Sequence, residues 1–115
     1  MNTKRNELVE VSFEFALLII DFAEELEKLR KYVIAKQLLK SGTSVGANIN
    51  EAQSAESKAD FIHKLKIAHK ELLETEYWIK LVKSSSSYPK PNIEIENRLT
   101  SLKKLFNKII STAKK

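Results

Sequence analysis

Apolar residues return at alternating spacings of four and three along three long stretches of this chain, a repeat that admits little besides helices packed side by side. Phe15, Ile19, Phe22, Leu26, Leu29 and Val33 form the first stripe, and Phe61, Leu65, Ala68, Leu72, Thr75, Ile79 and Val82 the second. Ile95, Leu99, Leu102, Phe106, Ile109 and Ala113 form the third. Two Gly and two Pro in 115 residues leave too little turn punctuation for a many-stranded sheet, so the expected class is all-α.

The first stripe predicts a helix from Asn6 to Lys31. Phe13, Leu17, Leu18 and Ile20 widen its apolar face beyond what one packing layer needs, and an oligomer interface would use the excess. A turn from Arg30 to Tyr32 leads into a second helix with Val33, Ile34, Leu38, Val45 and Ile49 on one face, running to about Ala55. Gly42 and Gly46 each cost a helix about 1 kcal/mol relative to Ala, so a loop at Gly42 to Gly46 is the competing reading. If the helix continues, the two glycines share a face and let another helix come unusually close.

Ser57 is placed to cap a third helix, with Asp60 completing a variant capping box. Ser84 to Ser87 and the Tyr88-Pro89-Lys90-Pro91 stretch cannot continue it, because proline lacks the amide donor. Asn92 is placed to cap the last helix. Four helices with short connections predict one domain over residues 1–115, an antiparallel up-and-down four-helix bundle.

The absence of cysteine excludes a disulfide framework, a thiolate metal site and a Cys nucleophile. The longest uninterrupted apolar run near the N-terminus, Phe15 to Ile20, is six residues, against the roughly 20 that span a bilayer. With Glu14 and Asp21 interrupting that segment and no small-residue cleavage site after it, the expectation is a mature cytoplasmic protein without a membrane role. Net charge is +5, concentrated late: residues 84–115 hold seven Lys/Arg against two Asp/Glu, residues 1–31 five against seven. Such a basic C-terminal third is compatible with a polyanionic partner.

The segments KQLLKSGTSVGANINEA and SKADFIHKLKIAHKELLETEYWIKLV, supported by the SFEFAL start, resemble the four-helix proteins encoded in intervening sequences of bacterial 23S rRNA genes, also known as S23 ribosomal proteins. The resemblance implies an antiparallel four-helix bundle assembled as a ring, a pentamer. It also implies a relation to the accessory protein of diversity-generating retroelements, a basic ring that binds nucleic acid and a reverse transcriptase. Many members have Pro where this chain has Gly46, so a kink imposed there by Pro is absent or softer here.

The candidate nucleic-acid-binding residues are His63, Lys66 and Lys70 on the third helix and Arg98, Lys103, Lys104 and Lys108 on the fourth, with Lys58, Lys64, Lys80, Lys83, Lys114 and Lys115 nearby. Ring assembly would repeat such a surface and favour long structured RNA. The competing account is a solvated lysine face interleaved with Glu71, Glu74, Glu94 and Glu96. Tyr77, Trp78 and Tyr88 are expected to pack in the core or an interface rather than stack on bases. Ser41, Ser44, Asn48 and Glu51 form a candidate structural polar motif, a network inside the bundle or between subunits.

An enzyme finds little material here. Asp60-x-x-His63 supplies half of one di-metal bundle motif, and such a site needs the motif twice. The Arg-then-His spacing of some helical-bundle ribonucleases is missing. The expectation is a non-enzymatic homo-oligomer without metal or cofactor that binds structured RNA by charge and shape. The alternative is a protein-interaction scaffold in which the basic face is incidental.

Overall fold

A computed structural model describes residues 3–113 and contains four helices: α1 (Thr3–Lys28), α2 (Tyr32–Ala52), α3 (Lys58–Ser84) and α4 (Ile93–Ala113). Each packs on its two neighbours in a closed square, the backbones of diagonal partners stay apart, and the rod measures 45 × 21 × 18 Å. Neighbours run in opposite directions, because rising numbers on one helix meet falling numbers on the next. Arg5 meets Gln53 while Ile19 faces Gly42, Glu51 meets Lys64 while Ser41 meets Thr75, and Glu76 meets Lys103 while Lys83 meets Glu96. The expected all-α bundle is therefore observed.

The core is the predicted set of stripes, with Phe61 and Ala113 only partly buried at one end and two further residues left outside it. Phe15, Ile19, Phe22 and Leu26 are fully buried or nearly so, as are Leu65, Ala68, Leu72, Thr75, Ile79 and Val82 on α3 and Ile95, Leu102 and Phe106 on α4. Leu29 and Val33, expected to extend the first stripe and in the case of Val33 to begin the apolar face of the second helix, are 52% and 74% exposed. The cause is an earlier stop to α1 at Lys28. Lys31 N–H donates to the Leu26 carbonyl (2.8 Å) and Arg30 N–H to the Glu27 carbonyl (2.9 Å), with Arg30 in the left-handed region at φ 62°. This is a Schellman stop, with an arginine where glycine is usual. It turns the chain before Leu29 can reach the core.

α2 runs without interruption through Gly42 and Gly46, which excludes a loop there. Both glycines are buried against α1. A Cβ on Gly42 would stand 2.8 Å from Ile19 Cγ2, and one on Gly46 would stand 3.5 Å from Ser12 Oγ. The small residues thus set the close approach of α1 and α2. α2 ends at Ala52 rather than Ala55, and the intervening residues form tighter turns in which Gln53, Ser54 and Ala55 each donate to the carbonyl three residues back.

Ser57 Oγ accepts from Asp60 N–H at 3.0 Å, the expected cap of α3, and the Asp60 carboxylate accepts from Glu56 N–H at 3.3 Å. Asn92 Oδ1 accepts from Glu94 N–H at 2.9 Å and caps α4. At that end of the bundle Tyr88 closes over the core beneath Lys31, whose ammonium lies 4.9 Å from the ring centroid. Among the described residues no helix is long and apolar enough to cross a membrane.

Candidate nucleic-acid interface

α3 and α4 carry the seven predicted contact residues, and the seam between them divides the set. Arg98, on the α1 side of α4, pairs with Glu94 one turn earlier and with Glu14 of α1 at 3.3 Å. Lys103 bridges the α3–α4 seam to Glu76 at 2.8 Å. Both cations are neutralised within the chain. His63, Lys66, Lys70, Lys104 and Lys108 are exposed, and none meets an acid among the described residues.

The unpaired lysines do not share one face. Lys66 lines a hollow of about 400 Å³ along the seam with His69, Asn107, Ile110 and Ser111. Lys108 turns toward α1 and lines a different hollow with Lys4, Arg5 and Thr112. Of the other lysines considered, Lys64 pairs with Glu51 and Lys83 with Glu96, while Lys58 and Lys80 are exposed. Lys114 and Lys115 lie outside the described residues.

His69 sits at the middle of the seam, its ring 5.3 Å from that of Phe106 and tilted by 35°. Burial lowers its pKa from the usual 6.5, and the charge of Lys103 lowers it further. The neutral imidazole is therefore the form favoured at neutral pH. Among the described residues no group of three or more His, Cys, Asp or Glu is arranged to hold a metal. Asp60 is engaged as a cap partner and His63 faces solvent.

The four-residue polar motif does not close into a network within the chain. Ser41 is buried and accepts from Thr75 Oγ1 at 2.8 Å while donating to the Gln37 carbonyl. Ser44 donates to the Lys40 carbonyl, Asn48 reaches Ser44 only through its backbone oxygen, and Glu51 is exposed beside Lys64. Hydroxyls on a helix find the carbonyl one turn back before they find each other. Thr75 is the buried hydrogen-bond partner of Ser41 that sequence reasoning left in the apolar stripe.

Trp78 and Tyr88 pack against the core as expected, but Tyr77 is 57% exposed, edge-on to Trp78 at 5.4 Å. Phe13 and Leu17 on α1 are likewise exposed, at 62% and 49%, whereas Leu18 packs against the core. Sequence reasoning also missed Arg5. Its guanidinium lies 4.3 Å above the Phe61 ring, and its Nη2 donates to Gln53 Oε1 at 3.3 Å. The signal was available, since an antiparallel bundle brings the starts of the first and third helices to the same end.

Residues 4–108 match the model of the 23S rRNA-intervening sequence protein family. A crystal structure of a protein with unknown function from the S23 ribosomal protein family of Bacteroides thetaiotaomicron superposes with a TM-score of 0.87. It shares 44% identity and is aligned over 95% of this chain and 99% of its own. No curated protein matches the chain. Breadth of match, identity and a common four-helix path agree, and the chain belongs to the 23S rRNA-intervening sequence protein family.

Proposed function

We propose that the protein is a non-enzymatic homo-oligomer that binds structured RNA by neutralising backbone phosphates. The observation that carries this reading is the set of exposed, unpaired lysines on α3 and α4, Lys66, Lys70, Lys104 and Lys108, beside cations that the fold has already neutralised. Unpaired lysines release counterions on meeting phosphate, which drives association without base reading. The family's association with 23S rRNA genes makes an rRNA-like hairpin the first ligand to test.

Because Lys66 and Lys108 of one chain face different directions, self-association would bring the like-facing lysines of several copies together. Phe13 and Leu17, exposed on α1, give a surface for self-association into a ring, with a pentamer as the proposed size. The same apolar residues support the second reading, a scaffold that recruits another protein.

Fluorescence anisotropy of a labelled rRNA-like hairpin at about 50 and about 200 mM salt separates the two. RNA binding predicts affinity that falls steeply with salt, exceeds that for an equal-length DNA duplex, and weakens in Lys66→Gln/Lys70→Gln. Absence of binding at low salt sinks this reading in favour of the scaffold.

A further inference from the structure

The bundle end where α1 and α3 begin holds a hollow of about 360 Å³ whose polar lining is Arg5, Gln53, Ser57 and Lys58, over a floor that includes Phe61. A second hollow of about 300 Å³ shares Arg5 and Phe61 and adds Lys108. No acidic side chain lines either one. On the far side of the α2–α3 connection the arrangement is reversed, with Glu51, Glu56 and Asp60 around Lys64.

Arg5 is the fixed part of this site. Phe61 supports its guanidinium from below and Gln53 holds Nη2, yet Nε is buried and has no hydrogen-bond partner. A buried donor on a charged group is costly to leave unsatisfied, and a small rotation of the guanidinium toward the hollow would let an oxyanion satisfy both the hydrogen bond and the charge. Lys58 and Lys108 are exposed, without an acid partner among the described residues, on either side of Arg5. A planar carboxylate offers two oxygens to such a set. A phosphate offers oxygens in several directions and suits one rigid fork flanked by two mobile ammonium groups.

We propose that this end of the bundle is a phosphate-binding site that seats a backbone phosphate of the bound nucleic acid. It rests on the RNA-binding reading above and adds a fixed anchor, distinct from the lysines of the α3–α4 seam. Arg5 orients the phosphate, and Lys58 and Lys108 neutralise it from the rim.

The test uses the full chain and two probes. In NMR, the Arg5 Nε–Hε signal, identified by its loss in Arg5→Lys, is followed during titration with inorganic phosphate and, at equal ionic strength, with chloride. The expected result is a saturable shift with phosphate alone. In anisotropy, Arg5→Gln is expected to weaken hairpin binding about tenfold. Lys58→Gln and Lys108→Gln, both at exposed positions, should each lower the salt slope by about one.

A hairpin affinity indifferent to Arg5→Gln and Lys58→Gln, with an Arg5 signal that ignores phosphate, overturns the site and leaves the RNA reading intact. An Arg5 shift with phosphate in a protein that binds no hairpin overturns the nucleic-acid reading and assigns the hollow to free phosphate.

Discussion

Thr75 Oγ1 lies 2.8 Å from Ser41 Oγ in the closed interface between α2 and α3, and both residues are fully buried. Ser41 Oγ donates a hydrogen bond to the Gln37 carbonyl, and the Glu71 carbonyl stands 2.8 Å from Thr75 Oγ1 as an alternative acceptor. Each hydroxyl therefore keeps a backbone partner if the other is removed. Ser41→Ala and Thr75→Val should each destabilise by about 1 kcal/mol, and the double variant by less than the sum. A double-mutant cycle in urea is expected to give a coupling of about 0.5–1.5 kcal/mol, and strict additivity would contradict the bond.

The two glycines of α2 should respond to alanine with opposite sign. In Gly42→Ala the new methyl meets Ile19 at 2.8 to 3.2 Å, and Ile19 is buried and β-branched, so it cannot yield. Overpacking of about 1–3 kcal/mol outweighs the helix-propensity gain of about 1 kcal/mol. Gly46→Ala meets Ser12 at ordinary contact distance, and the propensity gain survives as a stabilisation of up to about 1 kcal/mol. Thermal melts of the two variants check the signs.

Arg30 adopts φ 62° to end α1, a conformation that costs a side-chain-bearing residue about 1–2 kcal/mol and glycine none. After the greater unfolded-state entropy of glycine is subtracted, Arg30→Gly should stabilise by up to about 1 kcal/mol. A lower urea midpoint for this variant would count against the Schellman stop.

His69 links stability to acid. Its pKa is lowered in the fold, first by burial and then by Lys103, so on acidification the unfolded chain takes up its proton first. Stability from this residue is fully present above about pH 6.5 and is lost as pH falls through the lowered value. Lys103→Met should raise the His69 pKa part of the way, since burial remains. Following the imidazole C–H shifts in both proteins measures the change, and an unaltered midpoint would exclude Lys103 as a cause.

Helix number, class and most of the core were legible because the four-three repeat reports burial directly. Leu29 and Val33 were misplaced because the same repeat ran on past Lys28, and nothing in Arg30 signals a left-handed residue as glycine would. Gly42 and Gly46 were read as a close approach, although only the packing of Ile19 distinguishes the tight site from the tolerant one. The basic residues were legible as a set but not as a surface. Composition cannot tell that Glu14, Glu94 and Glu76 occupy Arg98 and Lys103 while Lys66 and Lys70 are left to solvent.

The bundle's four seams are unequal. α2 lies close along both α1 and α3, helped by its glycines and by Ser41, whereas α4 touches α3 most sparsely and is tied to it by Lys83–Glu96 and Lys103–Glu76. Unfolding should then proceed by layers: α4 is the leaf that lifts first, and the first three helices are the spine that outlasts it. Amide hydrogen exchange should show the α4 core amides opening at lower free energy than those of α2. A ring partner or nucleic acid that grips α4 would thereby clamp the least secure quarter of its own scaffold.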